Sequence, residues 1–192
     1  MIEVFLSASV PLPERNRVFF DTADVFLIRE AVRALVEVVL PRGRITFGGH
    51  PAITPLMSLY ARSSNLGNGR INVYQSDFFR GDMPRANEDF VDIRYVEKVE
   101  GGVSENLELM RYEMLRSRQF DAAVFIGGME GVRDEAAMFS RLHPKAQMLP
   151  IPVTGAAARL EFLEGNYPKF LENEISFSSL FRRTLFPSPL AE

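Results

Sequence analysis

The chain has no cysteine and only two histidines, His50 and His143. Without cysteine there is no disulfide, no thiolate metal ligand and no thiol nucleophile. Two histidines are too few for a histidine-rich metal site. Neither a metal nor an organic cofactor is expected. Basic charge is not in excess either, since 22 Lys and Arg stand against 25 Asp and Glu, a formal net charge of −3. Nucleic-acid polymers are bound by neutralising their phosphates with basic side chains, so no such partner is expected. No apolar run reaches the ~20 residues of a membrane span, because Asp24, Arg29, Glu30 and Arg33 interrupt the longest ones. No membrane partner is therefore expected. The opening MIEVFLSASV lacks a basic leader and reads as a first strand rather than a signal peptide. A cytoplasmic location is the expectation.

What is present is ordinary in bulk and informative in order. At 192 residues, 46% apolar and 24% charged, the chain fits one soluble domain. Strand-like runs at Ile2 to Ser7, Arg44 to Phe47, Ile71 to Gln75, Val91 to Val96, Ala122 to Ile126 and Gln147 to Ile151 alternate with other segments. Those between them include helix-like stretches at Thr22 to Leu40, Ala52 to Ser63, Ser104 to Arg118 and Val132 to Leu142. Thr22 or Asp21 suits the N-cap of the first helix, and Asn65 to Gly69 and Asp77 to Asp89 read as loops. Alternation of this kind predicts an α/β, Rossmann-like, doubly wound and mostly parallel sheet flanked by helices. A nucleotide-binding domain is expected over 1–163. Residues 164–192 form a Phe-rich extension without a clean period, expected to pack on the domain or on a partner.

In such sheets ligands lie beyond the carboxyl ends of the strands, near the switch in strand order. That rule gathers five segments on one rim: Ser7 to Ser9, Gly48-Gly49-His50, Asp77 onward, Gly127 to Gly131, and Thr154-Gly155. The richest is VFIGGMEGVRDEAAMF, an apolar strand that ends in Gly127-Gly128, followed by Met129, Glu130, Gly131 and a helix. Glycines there permit close ligand approach, and the helix N-terminus offers free N–H groups to an anion. Gly48-Gly49-His50-Pro51 with Thr54 makes a second such entry, with an imidazole and a hydroxyl as donors. The same residues also suit a tight strand-to-helix turn, with Pro51 at the first helical position and His50 as cap. His143, before Pro144, reads as a helix-end complement to the dipole. The candidate ligand-binding set is Ser7, Ser9, Gly48, Gly49, His50, Thr54, Gly127, Gly128, Met129, Glu130, Gly131, Thr154 and Gly155. A valine at Gly128 is expected to block the ligand and leave the fold intact.

These motifs resemble the SLOG superfamily, Rossmann-like domains that bind nucleotides and their derivatives. Its LOG branch of phosphoribohydrolases carries a PGGxGTxxE signature, with an RKxxM segment on the preceding helix. Gly127 to Glu135 is similar, with one extra residue between the glycines, and Arg111-Tyr112-Glu113-Met114-Leu115 lies at the matching distance upstream. FLSAS and TFGGHP look like the first and second nucleotide-facing turns of SLOG domains from bacterial conflict and signalling systems. The resemblance makes Arg111 and Glu135 counterparts of a catalytic arginine and glutamate. Val132, Tyr112 and Ile126 stand where the signature has threonine, lysine and proline. It implies a domain that binds a nucleotide-derived small molecule as a sensor or effector, and self-association into a homo-oligomer. The alternatives are an N-glycosidase, with Glu135 acting on the glycosidic carbon or water and Arg111 holding phosphate, and a degenerate domain serving association through Phe177, Phe181 and Phe186.

Overall fold

A computed structural model of the chain describes residues 1–63, 68–82, 85–90 and 92–187. Most of the loop expected at 65–69, Pro84, and the first residue of the strand expected from Val91 lie outside the described residues.

The strands are β1 (Ile2–Ser9), β2 (Gly43–Gly48), β3 (Ile71–Ser76), β4 (Asp92–Val96), β5 (Ala122–Gly127) and β6 (Gln147–Ile151). They form one sheet in the order β4-β3-β2-β1-β5-β6, and every neighbouring pair is parallel. The helices are α1 (Arg17–Phe20), α2 (Val25–Val39), α3 (Thr54–Ser63), α4 (Val103–Arg116), α5 (Glu130–Leu142), α6 (Ala156–Glu164) and α7 (Phe177–Leu185). The fold is therefore α/β and Rossmann-like. The sheet is wholly parallel, and its order reverses between β1 and β5.

Period-two alternation along the strands divides the core. On β1, Val4 and Leu6 join the layer with α2, α3 and α7, whereas Phe5 joins the layer with α4, α5 and α6. Strands buried on both faces read as near-continuous apolar runs, as in Ala122 to Ile126. On the second face Phe5 stacks on Phe139 with ring centroids 5.8 Å apart, and Phe120 lies 6.0 Å from Phe139.

The N-cap of α2 is Asp24, whose carboxylate accepts from Leu27 N–H at 2.9 Å. It is not Thr22 or Asp21, because each of these is occupied elsewhere. Thr22 Oγ1 donates to Val18 O and accepts from Ala156 N–H, and Asp21 pairs with Arg17. The extension from 164 contains a helix, carried in the sequence by Phe177, Leu180, Phe181 and Leu185 at helical spacing although the extension as a whole has no clean period. α7 lies along α2, burying Phe177, Leu180, Phe181 and Leu185 in the first core layer. No helix among the described residues is long and apolar enough to cross a membrane.

Candidate functional site

The reversal between β1 and β5 opens a cleft of about 330 Å³ beyond the carboxyl ends of the strands. Ser9 from β1, Gly48 and the following Gly49 and His50 from β2, and Met129, Glu130, Gly131 and Glu135 after β5 all line it. Arg111 of α4 completes the enclosure. A groove of about 420 Å³ between α4 and α5, lined by Leu109, Tyr112 and Leu142, is more open and lies away from the strand ends.

Glu135 sits in the second turn of α5 with only 14% of its side chain exposed. Its Oε2 accepts a 2.5 Å hydrogen bond from the Ser7 hydroxyl. Its Oε1 lies 3.5 Å from Arg111 Nε, an ion-pair separation at which Nε has no hydrogen-bond partner. Arg111 Nη1 also reaches Asp134 at 3.1 Å. Burial pushes the Glu135 carboxyl above its ordinary value, outweighing the opposite pull of Arg111 and of the Ser7 hydroxyl. The protonated form that burial favours can donate as well as accept a hydrogen bond. Arg111 reaches this position because Gly131 has no side chain, since a Cβ there would fall 2.6 Å from Arg111 Nη2.

His50 is half-buried and its imidazole titrates below its ordinary value, first because of burial and second because of the charge on Arg15. Its Nδ1 accepts from Ala52 N–H at 3.2 Å, which leaves Nε2–H as the donor of the neutral ring. Thr54 does not reach the cleft. It is fully buried, and its hydroxyl accepts from His50 N–H at 2.9 Å, fixing the turn that carries the imidazole. Ser7 is also buried and enters the site only through Glu135.

The glycine turn after β5 divides by position. Gly127 (φ +57°) and Gly128 (φ +89°) adopt left-handed backbone that side chains resist. Gly127 N–H donates to Thr154 Oγ1, Gly128 N–H to Ser9 O, and Ala157 N–H to Gly128 O. These two glycines build the loop and do not line the cleft. A Cβ on Gly128 would collide with Val132. The expectation that Gly128→Val spares the fold is therefore overturned, because the strain falls on the loop itself. Thr154 and Gly155 are likewise not brought into the cleft. Thr154 is buried, bridging Gly127 N–H and Ile151 O, and Gly155 packs on the Thr22 backbone beside a separate pocket. His143 is buried, and its Nε2–H donates to Leu115 O at 2.8 Å, satisfying a carbonyl of α4 rather than of its own helix.

Arg15 also lines the cleft, from the exposed loop after β1, and sequence reasoning passed over it. The signal was available, because that loop leaves the carboxyl end of β1, on the rim where ligands lie. Met110 and Leu107, on the cleft-facing side of α4, line it as well.

The wholly parallel sheet, its reversal at β1 and β5, and the glycine turn into α5 define a Rossmann-like domain. The chain belongs to the SLOG cluster3 family, whose model matches residues 18–185. Among solved structures it is similar to the X-ray structure of TM1055, a structural-genomics target. The two are 18% identical with a TM-score of 0.52, over 84% of this chain and 81% of that one, a likeness of fold. Comparison with curated proteins gave no match.

Proposed function

We propose that this domain binds a nucleotide-derived small molecule in the cleft between β1, β2 and α5, as a sensor or effector of a bacterial signalling or defence system. The carrying observation is the convergence of His50, Arg111, Glu135 and the start of α5 on one cleft at the strand-order reversal. Met129 at the N-cap makes no side-chain hydrogen bond to the helix start, so the N–H groups of Glu130 and Gly131 are available to a ligand. Thermal-shift and calorimetric screening of nucleosides, nucleoside monophosphates, cyclic nucleotides and ADP-ribose tests this. Saturable binding by one class supports it, and no response from any class contradicts it.

The pairing of Glu135 with Arg111 and Ser7 favours a second reading, hydrolysis of an N-glycosidic bond. A carboxyl with a raised pKa could protonate the leaving base or activate water. Release of free base from nucleoside monophosphates, stopped by Glu135→Gln, would establish it. Binding ranks first because Val132 offers no hydroxyl at the helix start and Asp134 already engages Arg111. The homo-oligomer and the cytoplasmic location remain part of the proposal, and light scattering reads the first.

A further inference from the structure

The cleft has two unlike walls. Every carboxylate that lines it is on α5: Glu130, Asp134 and Glu135. The one guanidinium on that side, Arg111, is already shared between Asp134 and Glu135. The helix dipole adds about half a positive charge there, against Glu130, which makes no ion pair among the described residues, and Asp134 and Glu135, which already occupy Arg111. Arg15, from the loop after β1, lies near His50, from the turn after β2, with no other carboxylate among the lining residues, and Arg15 makes no ion pair among the described residues.

We infer that a ligand in this cleft sets its phosphate against Arg15 and His50 and turns its hydroxyl-bearing end to Glu135. The inference rests on the proposed binding function and orients the ligand within it. β2 and β5 are two strand spacings apart, about 10 Å, so one small molecule can reach both walls. His50 supplies an Nε2–H donor held in place by Ala52 N–H, and Arg15 supplies a fork suited to phosphate oxygens. Asn16, the next residue, reaches Glu130 Oε1 at 3.4 Å, which ties the Arg15 loop to the start of α5 and keeps it over the opening. A hydroxyl of a sugar meets Glu135 as an acceptor or, when protonated, as a donor.

The test is calorimetric titration of adenosine and adenosine 5′-monophosphate, with the other three nucleoside pairs in parallel, into wild type and Arg15→Ala. Arg15 is exposed, so the substitution removes a charge without opening a core. The expected result is a phosphate preference of about tenfold or more in wild type that collapses in Arg15→Ala. In wild type the monophosphate also moves the His50 imidazole titration to higher pH by NMR, and the nucleoside does not. An undiminished preference in Arg15→Ala, with an unmoved His50 titration, overturns the inference and leaves the binding function standing. Failure of every nucleoside and monophosphate to bind wild type removes the inference, and failure of cyclic nucleotides and ADP-ribose as well removes the binding function.

Discussion

Ser7 on β1 donates a 2.5 Å hydrogen bond to Glu135 on α5, joining residues 128 positions apart across the strand-order reversal. The bond ties the first strand to the wall of the cleft and holds a carboxyl where burial disfavours its charge. Ser7→Ala leaves that oxygen without its donor. The expected loss is about 1–3 kcal/mol at neutral pH, measured by urea denaturation. A further rise of the Glu135 titration should accompany it, because the hydroxyl stabilises the charged form. Unchanged stability would show that the bond contributes nothing.

The raised pKa of Glu135 fixes the sign of a pH effect. The folded state holds the proton more tightly than the unfolded chain, so this group's contribution is greatest below the ordinary value near 4.5. It declines as pH rises through the folded value. Glu135→Gln, which mimics the protonated form, should therefore gain on wild type in stability as pH increases from 4 to 8. A gap that stays constant or moves the other way contradicts the assignment.

The glycines of the β5 turn should separate in behaviour. Gly128→Ala places a side chain at φ +89° against Val132, and a loss of about 1–3 kcal/mol is expected in thermal or urea unfolding. Gly131→Ala instead sits in the first turn of α5 with ordinary backbone, where alanine is favoured by up to about 1 kcal/mol over glycine. Its Cβ displaces Arg111, so ligand affinity should fall while stability holds. Equal effects of the two substitutions would erase the distinction between loop and cleft.

α7 should behave as part of the core. Phe181 is fully buried, and Phe181→Ala is expected to cost about 3–5 kcal/mol in urea unfolding. A truncation after Pro168 would uncover the buried face of α2, so loss of fold rather than loss of association alone should follow. A truncated chain with wild-type stability would contradict this.

The sheet was legible because its strands are apolar runs punctuated by glycine at their carboxyl ends, as at Gly48 and Gly127. The rim rule then drew Ser9, His50 and Gly131 together, and the family resemblance added Glu135. What stayed hidden was of three kinds. Thr54 and Thr154 have hydroxyls that could serve a ligand or a backbone N–H equally well, and only packing assigns them to the backbone. Arg15 lies in a proline-rich stretch without period, so that only its position after the carboxyl end of β1 pointed to the rim, and the path of the chain brings it near His50. α7 was missed although Phe177, Leu180, Phe181 and Leu185 fall at helical spacing with Ser178, Ser179, Arg182 and Arg183 on the opposite face, because its 9 residues end a stretch that is otherwise without period.

The most direct test of ligand binding in the β1–β5 cleft is calorimetric titration of the nucleotide panel into wild type and Gly131→Leu. That substitution fills the space beside Arg111 without a positive φ to oppose it. The account predicts saturable binding to wild type and loss of binding in a Gly131→Leu protein that melts at an unchanged temperature. Equal affinity in both proteins, or no binding to wild type, would contradict it.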